Sequence, residues 1–167
     1  MHVGVQMENA AEVVAMLRSD DRDVSGAATT ALQRLHHTVQ AQMLGAVAAM
    51  LADRNRRVRA CAVRTLGVLR PSARDAAQHA EHVFATLRDA DAVVRLEALW
   101  ALRGVPTETR EQRAADAVSL LQDADWRVRR AAVQELADLK LSVRASAGKS
   151  TTGGDTKENR RTDHWEF

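Results

Sequence analysis

The sequence has no tyrosine, two phenylalanines and three tryptophans, so aromatic side chains make up only 3% of it. A core built from this chain must therefore be filled by Ala, Val and Leu, whose small volumes suit close contact between helices. That favours an all-helical protein. The single cysteine, Cys61, leaves no intramolecular disulfide and no cysteine-cluster zinc site, and it points to a reducing, intracellular setting, expected to be the cytoplasm. There is no run of 18 apolar residues, so no membrane insertion is expected. The first 17 residues, with Glu8 and Glu12, lack the basic-then-apolar layout of a secretory leader. Charge of one sign is scarce as well. Lys and Arg number 24 against 22 Asp and Glu, a net +2, too weak a field to hold nucleic acid or an anionic membrane unaided. Any basic site has to be local.

What the chain does have is 46% hydrophobic and 28% charged residues, an ordinary folded composition that excludes disorder throughout. It also has an internal repeat. Leu17, Leu51, Leu87 and Leu121 are each followed seven residues later by a valine (Val24, Val58, Val94, Val128), and the valines are 34, 36 and 34 residues apart. Between leucine and valine lies a polar turn. Ser19, Asp53, Asp89 and Asp123 hold one place in it, and Asp21, Asn55, Asp91 and Asp125 another. Such side chains accept the free amide hydrogens of a helix's first turn. After each cap the valine is followed by Ala28/Ala62/Ala98/Ala132, Leu32/Leu66/Leu102/Leu136 and Leu35/Leu69/Val105/Leu139, at steps of four, four and three that mark one helical face. Helices are expected over about 22–35, 56–69, 92–105 and 126–139. A second apolar stripe precedes each leucine (Val13/Val14, Val47/Ala48, Val83/Phe84, Ala117/Val118) and places a partner helix upstream. Thr38, Ser72 with Asp75, and Pro106-Thr107 mark the starts of these first helices. The expectation is an all-α solenoid of about four helical hairpins over residues 1–140, with repeats at about 8–35, 38–69, 73–105 and 108–139. Residues 141–167 turn to Ser, Thr, Gly and charge. They read as a tail that is disordered or ordered only by a partner, with Trp165 and Phe167 as a possible docking motif.

The stretches LADRNRRVRACAVRTLGVL, LRDADAVVRLEALWALRGV and LQDADWRVRRAAVQELADL resemble the turn and second helix of HEAT or HEAT-like repeats. The resemblance covers roughly residues 8–140 and implies an α-solenoid, but it is nearly silent about the job, since such repeats serve many functions. It also implies that Arg59, Arg95 and Arg129 pair with turn aspartates of the same or an adjacent repeat. The first copy departs from the pattern, with Ser25 in place of that arginine and with Gly26, Thr29 and Thr30 in its second helix, and reads as an N-terminal capping repeat. A tetratricopeptide pattern fails for want of tyrosine, and ankyrin's Thr-Pro-Leu-His is absent.

A solenoid presents its second helices as a concave wall. On the third, Val93, Leu96, Glu97, Trp100 and Arg103 form one stripe outside the core face. Arg57, Cys61 and Arg64 on the second and Arg127, Arg130 and Gln134 on the fourth are their counterparts. Candidate partner-binding residues are thus Arg57, Arg64, Leu96, Trp100, Arg103, Arg127, Arg130 and Gln134, an aromatic flanked by arginines, the types that concentrate binding energy at interfaces. Trp100 reads equally as a residue packed against a neighbouring helix, while Trp126 beside its cap reads as a packing staple. The leading expectation is a non-enzymatic scaffold or adaptor, such as a small subunit of a larger assembly. The alternative is a nucleic-acid-binding module using the arginines on phosphates, as some HEAT-like folds do.

Chemistry finds little support. His79 and His82, three apart, have no second ligand pair and read as residues of a solvated helix. Cys61, among arginines, reads as a small buried thiol. AGKST at 147–151 resembles the end of a phosphate-binding loop, but Val143 stands where the first glycine should be. No catalytic residue, cofactor or metal is expected. Nothing in the pattern caps the fourth repeat, so its outer apolar surface is expected to be covered by the tail, a second copy or another subunit.

Overall fold

The computed structural model describes residues 3–72 and 75–150, the side chains of 3–8 and 141–150 excepted. Among these residues every regular element is helical. The order is α1 (Val3–Met16), α2 (Arg22–Arg34), α3 (His37–Ala49), α4 (Arg56–Val68), α5 (Ala76–Thr86), α6 (Ala92–Ala101), α7 (Thr107–Gln112), α8 (Ala114–Ser119) and α9 (Trp126–Ser150). Single 3₁₀ turns at Met50–Ala52, Leu102–Gly104 and Leu120–Gln122 tighten helix ends. Each second helix packs on its own first helix and on the second helices beside it, α2 on α4, α4 on α6 and α6 on α9. This is the side-by-side stacking of an α-solenoid, because each amphipathic hairpin buries its apolar face only against its neighbours.

The turns explain where the second helices begin. Asp21, Asn55, Asp91 and Asp125 are their N-caps, each accepting from the amide two residues on (Asp23, Arg57, Val93, Arg127) at 2.8–3.0 Å. Two residues earlier, Ser19, Asp53, Asp89 and Asp123 accept the cap residue's own amide at 2.8–3.2 Å. Each turn thus satisfies two backbone donors with two short side chains. The core follows the periodicity: Val58, Val94, Val128, Ala62, Ala98, Ala132, Leu66 and Leu102 are all buried. Between α4 and α6 the approach is close enough that a methyl on Gly67 would lie 2.6 Å from the Ala101 Cα.

Several expectations need correction. Val24, the first of the aligned valines, is exposed. Thr38 is not a cap: α3 starts at His37, and the Thr38 hydroxyl meets His36 Nδ1 at 2.9 Å. The first helix of the fourth hairpin is broken in two at Arg113, whose φ of −108° and ψ of 15° interrupt the helix. There Arg113 is clasped by Asp116 and Glu81 and lies 4.6 Å over the Phe84 ring, contacts an unbroken helix would have to place elsewhere. Finally, α9 runs to Ser150, where the tail was expected to begin at 141. Leu141, Arg144, Lys149 and two alanines, Ala145 and Ala147, are sufficient helix formers to outweigh Gly148.

Candidate functional site on the second-helix layer

The arginines split into two sets with different partners. Arg59 clamps Asp89 of the next hairpin through Nε and Nη2 at 2.8 and 2.9 Å, and its Nη1 donates to the carbonyls of Asp53 and Arg54. Arg95 repeats this one hairpin on, clamping Asp123 at 2.7 and 2.8 Å and donating to the carbonyls of Asp89 and Ala90. These bidentate, largely buried pairs join adjacent repeats. The Arg95 guanidinium, bonded to Asp123, is the main reason that carboxyl sits below the ordinary aspartate range. In the first hairpin Ser25 cannot reach across, and Arg18 takes over by pairing with Asp53 at 2.6 Å. Ser25 and Thr29 are buried against the second hairpin, with the Thr29 and Thr65 hydroxyls 2.9 Å apart. The unusual polarity of this first repeat therefore lines its junction with the second.

The other arginines surround a hollow of about 400 Å³ between α2, α4 and α6, bordered by Arg22, Arg56, Arg57, Arg64, Cys61 and Glu97. Arg56 is held by Asp91 at 2.9 Å and Arg64 lies 3.8 Å from Glu97. For the Arg22 and Arg57 guanidinium groups no carboxylate lies within ion-pair distance among the described residues. Glu97, expected on an exposed stripe, is 9% exposed. Burial pushes its carboxyl above the ordinary range, opposed by the charges of Arg64 and Arg22. Cys61 is a buried thiol in contact with Thr29, the Ser25 carbonyl and Arg64 Nη2, at 3.7–3.9 Å.

Further along the same layer, Trp100 is 51% exposed and shares a shallow depression between α6 and α9 with Arg103 and Gln134. Arg103 reaches Asp138 at 3.5 Å. The structure therefore brings Arg57 and Arg64 together in one hollow and Trp100, Arg103 and Gln134 in another. It leaves Arg127 and Arg130 outside both. Arg127 folds back on its own cap, Asp125, at 2.7 Å and holds that carboxyl down to about 2. Leu96 is half-buried against the core, so it belongs to packing more than to the exposed stripe. Trp126, expected to pack, is 60% exposed. His79 is buried, not solvated: its Nε2 donates to the Leu66 carbonyl at 2.8 Å, and burial, aided by His82, lowers its pKa. Arg22 was missed by the sequence reading because it precedes the aligned valine, where nothing in the repeat marks it. Trp165 and Phe167 lie outside the described residues.

Among the described residues no three His, Cys, Asp or Glu side chains are grouped to hold a metal ion, and no helix is long and apolar enough to cross a membrane. Residues 80–147 match the model of the HEAT-repeat family, and the fold of the described residues is an all-α solenoid. The chain is similar in structure to an engineered protein solved by crystallography as a structural-genomics target, with a TM-score of 0.55 and 20% sequence identity over 78% of this chain. The chain spans 62% of that protein's length, and the likeness concerns the fold alone. No curated protein matches the sequence.

Proposed function

We propose that the protein is a non-enzymatic interaction scaffold or adaptor, a small subunit of a larger assembly, that binds a protein partner along the layer formed by α2, α4, α6 and α9. The observation that carries this reading is Trp100. Its large indole is half exposed on that layer, in a shallow depression beside Arg103 and Gln134, and Trp is the residue type that most often anchors interfaces. The hollow bordered by Arg22 and Arg57 lies on the same layer and adds charge, so the partner segment combines carboxylates with an apolar anchor. Nucleic acid is the weaker fit, since Arg56, Arg64, Arg103 and Arg127 already have carboxylates nearby and Glu97 and Asp20 border the same hollow. Affinity capture with the full chain from its native source, read by mass spectrometry, identifies the partner. The double variant Arg57→Ala/Trp100→Ala should lose that partner while keeping the helical circular dichroism of the parent. Undiminished capture rejects this surface, and capture of nucleic acid that fades steeply with salt rejects the protein-partner reading.

A further inference from the structure

The fourth hairpin carries the same side-chain equipment as the second and third, with nothing described beyond it to engage it. Arg129 stands where Arg59 and Arg95 stand, and it completes half of their contacts. Its Nη1 donates to the carbonyls of Asp123 and Ala124 at 2.8 and 3.0 Å, as theirs do to their own turns. The guanidinium is thereby already oriented. Its Nε and Nη2 edge, the edge that grips Asp89 and Asp123 in the earlier hairpins, meets no carboxylate among the described residues. On the same hairpin Val133, one turn on from Arg129, and Val118 of the preceding helix are 58% and 50% exposed. The residues at the same places in the third hairpin, Leu99 and Phe84, are 1% and 3% exposed, and Val63 of the second is 0%. The fourth hairpin thus presents an apolar strip with a pre-aimed carboxylate fork at its border.

We infer that this edge, formed by Val118, Arg129 and Val133, docks a helical hairpin of another polypeptide, one that carries an aspartate in its inter-helix turn. The required chemistry is written twice inside the molecule, at Arg59–Asp89 and Arg95–Asp123, where an apolar helix pair buries the strip and the turn carboxylate fills the fork. A head-to-tail second copy fits less well. The first hairpin has Ser19 at the turn position that would meet Arg129, and a hydroxyl cannot answer a guanidinium fork as a carboxylate does. The sequence of residues 151–167, TTGGDTKENRRTDHWEF, lacks the apolar period of a hairpin.

The test uses the full-length chain and a fluorescent synthetic peptide of residues 107–139, the segment whose Asp123 fills the Arg95 fork. Anisotropy should show saturable binding. Affinity should fall about tenfold with either Arg129→Ala in the chain or Asp123→Asn in the peptide, and no further when both are combined, as a double-mutant cycle requires of a direct pair. Val133→Glu in the chain should abolish binding with helicity unchanged. Absence of saturable binding, or equal binding by the Val133→Glu chain, overturns the inference. So does binding that emerges only after residues 151–167 are removed, since the chain's own tail would then be the occupant. Sedimentation of the chain alone provides the remaining arm: concentration-dependent dimers lost on Val133→Glu would make a second copy the occupant and overturn it too.

Discussion

The third and fourth hairpins carry near-equivalent residues in their second helices and differ in what lies next to them. Leu99 and Val133 occupy the same place in the repeat, yet one is 1% exposed and the other 58%. Arg95 and Arg129 grip their own turns in the same way, but only Arg95 reaches a carboxylate beyond. In a solenoid a side chain's burial is set by the neighbouring repeat as much as by its own helix, so identical positions carry different energies along the array.

The largest test of that contrast is truncation. Leu99→Ala should cost about 2–5 kcal/mol, because it empties a closed interior site, whereas Val133→Ala should stay within about 0.5 kcal/mol; urea unfolding measures both. The clamps come next. Arg95→Ala should cost about 2 kcal/mol through loss of a charged bidentate pair, while Arg129→Ala, which loses only bonds to carbonyls, should cost about 1 kcal/mol or less. Asp123 adds a pH signature. Its carboxyl is held low in the folded state, so its contribution is present above the ordinary aspartate value near 3.8 and is lost as pH falls through the lower folded value.

How much of this was readable beforehand follows from which forces are local. The N-caps and the core stripe were legible, since each depends on spacing within a few residues. The Arg59 and Arg95 pairing followed from the family resemblance. The burial of Glu97 and His79 and the break at Arg113 were not legible, because each involves contacts with a different hairpin. The run of α9 to Ser150 was hidden for another reason: a helix without an apolar stripe leaves no periodic signal, only favourable propensities.

Two smaller effects sharpen the comparison. Gly67→Ala would drive a methyl into the Ala101 backbone and should destabilise by about 1–3 kcal/mol, whereas Gly26→Ala in α2, with open space around it, should stabilise by up to about 1 kcal/mol; thermal melts of the two variants should move in opposite directions. Glu97→Gln is the smallest. Burial raises the folded Glu97 carboxyl above the ordinary 4.5, so its ionisation weakens the fold as pH rises through that folded value. The glutamine variant should therefore melt slightly higher at pH 7, with the difference closing as pH falls below about 4.5.

Native-state hydrogen exchange resolved by helix tests the central claim most directly. If neighbouring repeats supply the burial, the amides of α4 and α6, flanked on both sides, should exchange at least about tenfold more slowly than those of α1 and of residues 126–139 in α9. Protection uniform from α1 to α9, or greatest in α9, would contradict the account.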